Sequence, residues 1–275
     1  MKKKIFLAVS LLGISFYGCE KDCELIPKSG YNIVGSDENC YYLPNGSGNI
    51  TGTFTDARDN TVYDWVQIGN QVWMAENLRY LPSVVGSDSS STTKPYYYVY
   101  SYNGTNVDSA KATYNYNTYG VLYNFPAAIT SNTGMSPYRE RGVCPDGWFL
   151  PDKWDVERLV NYFYGREYVA GDKLKEAGTA HWNSPNAGAI NSKGFTALPG
   201  GTYNPNHHFY SIGYCGVWWT ASSAEGSEIE YSDFIWSWVM NNGYSQLDFM
   251  GTYDDSSPQL TSFRDFGFSV RCVKE

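Results

Sequence analysis

The sequence predicts an α+β domain built from antiparallel strands, two helices and long loops. Segments in which apolar and polar residues alternate, as in half-buried strands, recur along much of the chain. A helical pattern with clear start and stop signals occurs only in the region after Pro151. Clusters of glycine, asparagine and serine separate these segments and predict surface loops.

The first 18 residues have the composition of a lipoprotein signal peptide. Three lysines precede an apolar run at residues 5–17, which is too short to cross a bilayer as a helix. The Gly18-Cys19 pair predicts cleavage before Cys19, which would then carry lipid, including palmitate. The alternative is an ordinary secretory peptide in which Cys19 has no special role. Acidic residues directly after Cys19 favour an outer-membrane protein anchored at the cell surface.

Residues 19–50 are predicted to form a tether that contains a small loop closed by a Cys23–Cys40 disulfide. Disulfides are expected because the predicted export route leads to an oxidising compartment. Residues 51–275 would then form one domain, which is long enough to bury a sizeable core.

The charge and the aromatic content restrict the possible partners. The formal net charge is −8 at pH 7, and loss of the leader lysines would make it more negative. Nucleic acids and anionic lipid surfaces are bound by positive patches, so we expect no nucleic-acid partner. Aromatic residues are as frequent as charged ones, at 17% each, which indicates a folded chain rather than a disordered one.

The first half of the main domain is predicted to begin with a hairpin. Residues 62–68 and 71–75 form its two strands around a Gly-Asn turn. Residues 83–95 are predicted as a polar surface loop. The tyrosine-dense residues 96–123 suit exposed strands and long loops, because the ring packs while the hydroxyl stays hydrated. Residues 119–125 are predicted as the next core strand.

The second half is predicted to contain both helices. Asp152 is a natural N-cap for the stronger helix, and Gly165 is its stop signal. A shorter helix is predicted over residues 170–177. The later apolar segments are predicted as strands at residues 194–198, 217–221, 234–240 and 266–273.

Six cysteines are present, and two of them lie in apolar, aromatic segments. We favour a disulfide between these two, Cys144 and Cys272, which would join the end of the domain to its middle. Cys215 is then either a buried free thiol or an exchange partner for one of this pair. The spacing of cysteine and histidine is not that of a zinc site, so we expect no metal and no cofactor.

Seven motifs in fixed order resemble those of the Fibrobacter succinogenes major paralogous domain family. They span about residues 53–274 and lie at residues 66–78, 119–123, 144–151, 170–175, 194–201, 218–222 and 267–273. The resemblance implies a C-type-lectin-like fold, in which the terminal strands pair. It also implies a disulfide between the region ahead of the helix and the last strand. Members are mostly secreted or lipid-anchored surface proteins of unassigned function.

A ligand surface is predicted from aromatic residues in loop-rich segments. Flat rings stack on sugars and also anchor protein interfaces, so the expected ligand is a glycan or a protein. The candidate ligand-binding residues are Tyr98, Tyr100, Tyr102, Trp182, Tyr203 and Tyr210. The alternative is that these aromatic side chains simply cover a core that is poor in leucine.

The sequence offers little support for other kinds of site. The calcium-dependent sugar site of C-type lectins is not expected, because Ser184-Pro185-Asn186 lacks the carboxylate of that loop. We expect no catalysis, since triad order and phosphate loops are missing. The enzymatic alternative is an oxidase like the formylglycine-generating enzyme, with Cys215 as its reactive thiol. The chain is therefore interpreted as a surface-anchored binding or adhesion module, with a purely structural envelope lipoprotein as a further alternative.

Overall fold

The structure is a computed structural model that describes residues 31–34, 41–44, 49–129, 139–163, 165, 167–223, 235–250 and 263–274. The chain divides into two compact units, Met1–Asn45 and Gly46–Glu275. In the first unit, β1 (Tyr31–Val34) and β2 (Tyr41–Pro44) form an antiparallel hairpin. The predicted signal peptide, Cys19 and the Cys23–Cys40 pair lie outside the described residues.

The second unit contains the remaining elements. In chain order these are β3 (Thr51–Asp56), β4 (Thr61–Ile68), β5 (Gln71–Met74), β6 (Tyr97–Tyr98), α1 (Val107–Lys111), α2 (Tyr114–Tyr119), β7 (Leu122–Tyr123), α3 (Phe125–Ala128), α4 (Lys153–Tyr162), α5 (Glu167–Leu174), β8 (Thr202–Asn204), β9 (His208–Tyr210), β10 (Cys215–Ser223), β11 (Ile235–Asn241), β12 (Leu247–Met250), a 3-10 turn (Phe263–Asp265) and β13 (Val273–Lys274). The ladders between these strands are antiparallel, and the predicted α+β class is confirmed.

A four-stranded sheet has the order β13-β5-β4-β3. The predicted hairpin is confirmed as β4 and β5, and Gly69 makes its turn with a φ of +62° that favours glycine. The last strand lies at the edge of the sheet, where Val273 pairs with Trp73. On its other side the Val273 carbonyl accepts a hydrogen bond from the Phe149 amide at 2.9 Å. The end of the chain is therefore held between two distant segments.

A disulfide joins Cys144 to Cys272, and both residues are fully buried. The predicted Cys144–Cys272 disulfide is confirmed. Cys215 is a free, partly buried thiol at the start of β10, so it does not exchange with that pair in this structure.

The second sheet, β10-β11-β12, packs with α4 around a core of tryptophans. The predicted helix is confirmed, and its N-terminus forms a capping box between Asp152 and Asp155. The apolar face of α4, which includes Leu159, shares one buried cluster with Trp218 and Trp238. The two indoles stack with ring centroids 4.5 Å apart. This packing fixes the helix over the sheet.

The strand predicted at residues 119–125 is largely wrong, because local capping divides the segment. Thr113 caps α2, and Gly120 follows it with a φ of +79°. Only Leu122–Tyr123 is a strand, and the Asn124 side chain then caps α3 by accepting a hydrogen bond from the Ala127 amide. The tyrosine-rich stretch therefore contains short helices as well as strand and loop.

Three further predicted elements differ from the structure. Residues 194–198 are not a strand, since Thr196 has a φ of +55° and the Asn191 side chain binds its amide. The helix predicted over residues 170–177 is α5, which spans Glu167–Leu174. It ends before Lys175, because Lys175 forms a β-bridge with Ala197. In the last segment only Val273–Lys274 is a strand. Within the described residues no helix has the length and apolar character to cross a membrane.

Candidate functional site

Three of the six predicted ligand-binding residues are buried. The Tyr98 and Tyr203 rings stack with centroids 4.0 Å apart and an interplanar angle of 19°. Their hydroxyls donate to the Ser89 carbonyl at 2.8 and 3.0 Å. Burial raises the pKa of both hydroxyls. Trp182 is also buried and donates from its indole to the Ala197 carbonyl at 2.9 Å. These rings belong to the core and offer no face to a ligand.

The other three predicted residues are more accessible, and of these only Tyr100 packs at the edge of the Tyr98–Tyr203 cluster. Tyr100 is half-buried with its ring centroid 5.2 Å from that of Phe209. Tyr102 is half-buried and donates to the Asn106 carbonyl at 2.9 Å. Tyr210 is exposed over 42% of its surface. The two tyrosine-rich segments do converge, but they converge largely by burying their rings against each other.

An open groove of about 490 Å³ lies between α4 and strands β11 and β12. The side chains that line it include the half-buried aromatic residues Trp236 and Phe249, together with the charged residues Lys153, Glu157 and Asp248. The two rings meet edge to face, with centroids 6.0 Å apart at 86°. The aromatic residues selected from loop-rich segments do not include Trp236 or Phe249, although the strand predicted at residues 234–240 is confirmed as β11.

The secondary structure explains how the groove is built. Side chains two residues apart on a strand share one face, so Trp236 continues the face on which Trp238 is buried. Phe249 stands directly opposite Trp238 on the neighbouring strand. Lys153 is the first residue of α4, and its backbone amide donates to the Ser222 hydroxyl at 2.9 Å. The helix and the sheet therefore form the two sides of the groove.

A second groove, of about 410 Å³, lies beside strands β3 and β4. The Trp65 ring covers Gly52 on the neighbouring strand so closely that an added Cβ would lie 2.6 Å from it. The carboxylate residues Asp64 and Glu76 line the same groove. Its hydroxyl-bearing residues are Thr51, Thr53 and Thr196. A flat indole is thus surrounded by polar groups.

A buried network connects several of the signature motifs. The Arg271 guanidinium donates to Asn77 Oδ1 at 2.9 Å and to the Phe195 carbonyl, and it lies 4.4 Å from the Phe195 ring centroid. The Trp218 indole donates to the same Asn77 oxygen at 2.9 Å. The Asn77 amide in turn donates to the Tyr119 carbonyl at 2.9 Å. Burial lowers the pKa of Arg271 to about 9. The motif residues in this network therefore stabilise the fold and do not form a ligand-binding surface.

Residues 66–274 match the protein family described as the Fibrobacter succinogenes major domain. The chain belongs to that family. No curated protein and no solved structure matches the chain significantly. The Fibrobacter succinogenes major domain thus accounts for most of the second unit, from the middle of β4 to the last strand. Its groove residues Lys153, Trp236 and Phe249 lie between the signature motifs and not within them.

The free thiol of this Fibrobacter succinogenes major domain is not activated. Burial raises the pKa of Cys215 to about 11, so only a small fraction is thiolate at neutral pH. Cys144 and Cys272 are held in the disulfide. Cys19, Cys23 and Cys40 lie outside the described residues.

Metal-binding groups are not clustered in the described part of this domain, where no three His, Cys, Asp or Glu side chains lie close enough to hold an ion. In the Ser184-Pro185-Asn186 loop, the side-chain amide of Asn186 makes hydrogen bonds within the protein. Asn186 donates to the carbonyls of Glu176 at 2.8 Å and Gly178 at 2.6 Å. That loop is held by the main chain around it.

Proposed function

We propose that this protein is a lipid-anchored surface module that binds another protein through the groove between α4, β11 and β12. The observation that carries the proposal is the pair of half-buried rings, Trp236 and Phe249, in an open groove with charged side chains at its sides. Aromatic residues in such positions supply much of the binding energy at protein interfaces. The neighbouring charges would select the partner.

The proposal includes a C-type-lectin-like fold for the domain. Support comes from the last strand, which pairs with strand β5 of the β4–β5 hairpin through Val273 and Trp73. The Cys144–Cys272 disulfide also joins the segment ahead of α4 to the end of the chain. Both features are those that the family resemblance implies.

The proposal places the protein at the outer membrane, on the cell surface. Cys19 would carry the lipid, and residues 19–50 would hold the domain away from the bilayer. A Cys19→Ser variant should then appear in the soluble fraction and lose labelling by radioactive palmitate. Membrane retention of that variant would contradict the anchor. The binding role is proposed without catalysis, since the Cys215 thiol is poorly ionised at neutral pH.

A glycan is the second candidate ligand, and the Trp65 groove favours it. Pyranose rings stack on flat indoles, and their hydroxyls bind carboxylates and hydroxyls of the kind found at Asp64, Glu76 and Thr53. A glycan array probed with the full-length protein in detergent would test this site. Signals that persist in Trp65→Ala would contradict it.

The protein-binding proposal is tested by cross-linking on whole cells, followed by binding of the purified partner to the purified full-length protein. Trp236→Ala and Phe249→Ala should each weaken that binding at least tenfold, the effect of losing about 1.4 kcal/mol or more of a hot spot. Trp154→Ala is the matched control, because Trp154 is 70% exposed on α4 but does not line the groove. Equal losses in all three variants would contradict the proposed site.

A further inference from the structure

We infer that the groove beside α4 is a cage for a lysine side chain of a basic partner protein, and that Lys153 occupies this cage when the partner is absent. The inference rests on the proposed protein-binding function and specifies the chemistry of the same groove. It concerns Lys153, Glu157, Trp236, Asp248 and Phe249.

The geometry around Lys153 is that of a bound ammonium ion. Its Nζ lies 4.3 Å from the ring centroid of Trp236 and 5.7 Å from that of Phe249. Both distances are within the range of a cation–π contact. Because the two rings are nearly perpendicular, they form two walls around the ammonium group. The groove therefore already holds the chemical group that we assign to its ligand.

Carboxylates complete the cage. Glu157 Oε1 lies 3.5 Å from Lys153 Nζ, and Asp248 also lines the groove. The net charge of the chain is −8, which attracts a basic partner at long range. The side chains of Lys153 and Glu157 are each about one third exposed, at 33% and 32%, so solvent and an incoming group can reach them.

The position of Lys153 is electrostatically unfavourable for the helix. It is the first residue of α4, where the positive end of the helix dipole opposes a cation. The helix is already capped by Asp152 and Asp155 and does not need this lysine. Its ion pair with Glu157, one turn further along the same helix, is partly exposed and adds little to the stability of the helix. The placement of Lys153 against the two rings is therefore more easily explained by function. Here the function is to fill the cage with an exchangeable ligand.

Occupation by Lys153 has a consequence for affinity. An incoming lysine must displace Lys153 from the same rings and the same carboxylate. Only molecules in which the cage is empty can bind it, so the apparent affinity falls as the fraction of molecules with a filled cage rises. Removing the Lys153 side chain empties the cage and removes this competition. Removing the Trp236 ring destroys the cage in either state.

The test measures binding of an oligolysine peptide to the full-length protein in detergent by calorimetry. We expect Lys153→Ala to bind the peptide about fivefold more tightly than the natural protein, the effect of losing one exposed cation–π competitor. Trp236→Leu, which keeps an apolar side chain and the net charge, should lose the groove-specific binding. Lys94→Ala is the control for charge, because it removes one exposed lysine outside the groove and should bind like the natural protein.

Three results would overturn the inference. One is equal binding of oligolysine by the natural protein and by Trp236→Leu, which would show that the attraction is only a general charge effect. Another is an equal gain in Lys153→Ala and Lys94→Ala. The third is binding of phosphatidylcholine vesicles by Lys153→Ala without any gain for oligolysine, which would assign the cage to a quaternary ammonium instead.

The same variants separate this inference from the proposed function. If the purified partner still requires Trp236 while oligolysine does not bind, the groove is the protein-binding site but its ligand is not a lysine. If the partner binds equally well to Trp236→Leu and Phe249→Ala, the proposed function itself is wrong. Circular dichroism of each variant, compared with the natural protein, verifies that it is folded.

Discussion

Arg271 donates a hydrogen bond of 2.9 Å to the side-chain oxygen of Asn77, which lies 194 residues earlier in the chain. The same oxygen accepts the indole N–H of Trp218, so a single buried amide connects the segment after β5 with β10 and the last segment. Among the described residues the guanidinium donates to the carbonyl oxygens of Asn77, Phe195 and Thr196 and to no carboxylate. The buried charge is therefore stabilised by dipoles and by the Phe195 ring.

The first prediction concerns this amide. Asn77→Ala leaves donors of Arg271 and Trp218 without their acceptor in the core, and we expect the free energy of unfolding to fall by about 3 kcal/mol. Urea unfolding measures the loss. Asn206→Ala, on an exposed turn, should change stability by less than about 0.5 kcal/mol. Equal effects of the two substitutions would contradict the role of the network.

The second prediction concerns the disulfide. Replacing Cys144 and Cys272 together by serine should lower the free energy of unfolding by about 2–5 kcal/mol, because the unfolded chain is no longer constrained by a long covalent loop. Reductant should destabilise the natural protein in the same direction. Cys215→Ser keeps the disulfide and is the matched control, with an expected loss clearly smaller than that of the double variant.

The third prediction concerns the contact of Gly52 with Trp65. In Gly52→Ala the new methyl group would lie 2.6 Å from the indole, so the ring must move and stability should fall by about 1–3 kcal/mol. In a Trp65→Ala background the same substitution meets no ring, and its cost should largely disappear. A double-mutant cycle measured by thermal unfolding reports this coupling. If the stability losses of Gly52→Ala and Trp65→Ala simply add in the double variant, the close contact between the glycine and the ring has no energetic effect.

The fourth prediction concerns alkaline pH. Burial raises the pKa of Tyr116 and Tyr119 to about 12, and it also raises the pKa of Tyr123 well above its usual value, whereas these groups titrate near 10 when unfolded. A folded-state pKa above the unfolded value gives stability that is present in full below pH 10 and is lost as the pH rises above it. Phenolate absorbance should therefore show a group of tyrosines that ionise only together with unfolding. Their ionisation in the folded protein near pH 10 would contradict the prediction.

The fifth prediction has the opposite sign and concerns Lys175. Its buried ammonium donates to the carbonyls of Ala187 at 2.8 Å, Asn241 at 3.1 Å and Tyr244 at 2.7 Å. Burial lowers the pKa of Lys175 from 10.5 to about 8. The unfolded chain then binds more protons between these values, so this group makes stability rise from pH 8 to 10.5. Lys175→Met should remove that rise, and an unchanged pH profile of unfolding would contradict it.

Elements with strong local signals could be predicted from the sequence. Asp152 is a good N-cap, and Gly69 can adopt the positive φ that the hairpin turn requires, so α4 and the first hairpin were predicted correctly. Thr196 adopts a positive φ because Asn191 hydrogen-bonds its amide and hydroxyl, and an apolar pattern does not reveal such a contact. The predicted strand at 194–198 failed for that reason.

The candidate site depended on contacts between distant segments. The loop-rich segments around Tyr98 and Tyr203 predict surface residues, but each ring is buried against the other. Trp236 lies in a segment that was correctly predicted as a strand, yet only the register of β11 with β12 and the placement of α4 bring it beside Phe249 and Lys153. Hydrophobic periodicity predicts which face of a strand a residue occupies, but it does not show where α4 lies over that face.

The pairing of Val273 with Trp73 also determines when this protein can fold. Strand β5 lacks one of its two neighbours until Val273 and Lys274 have been synthesised, about 200 residues after β5 itself. Contacts of such long sequence separation form slowly, because the intervening chain must first be ordered. A chain whose synthesis has not yet reached Val273 would therefore still present the unpaired edge of β5 to chaperones.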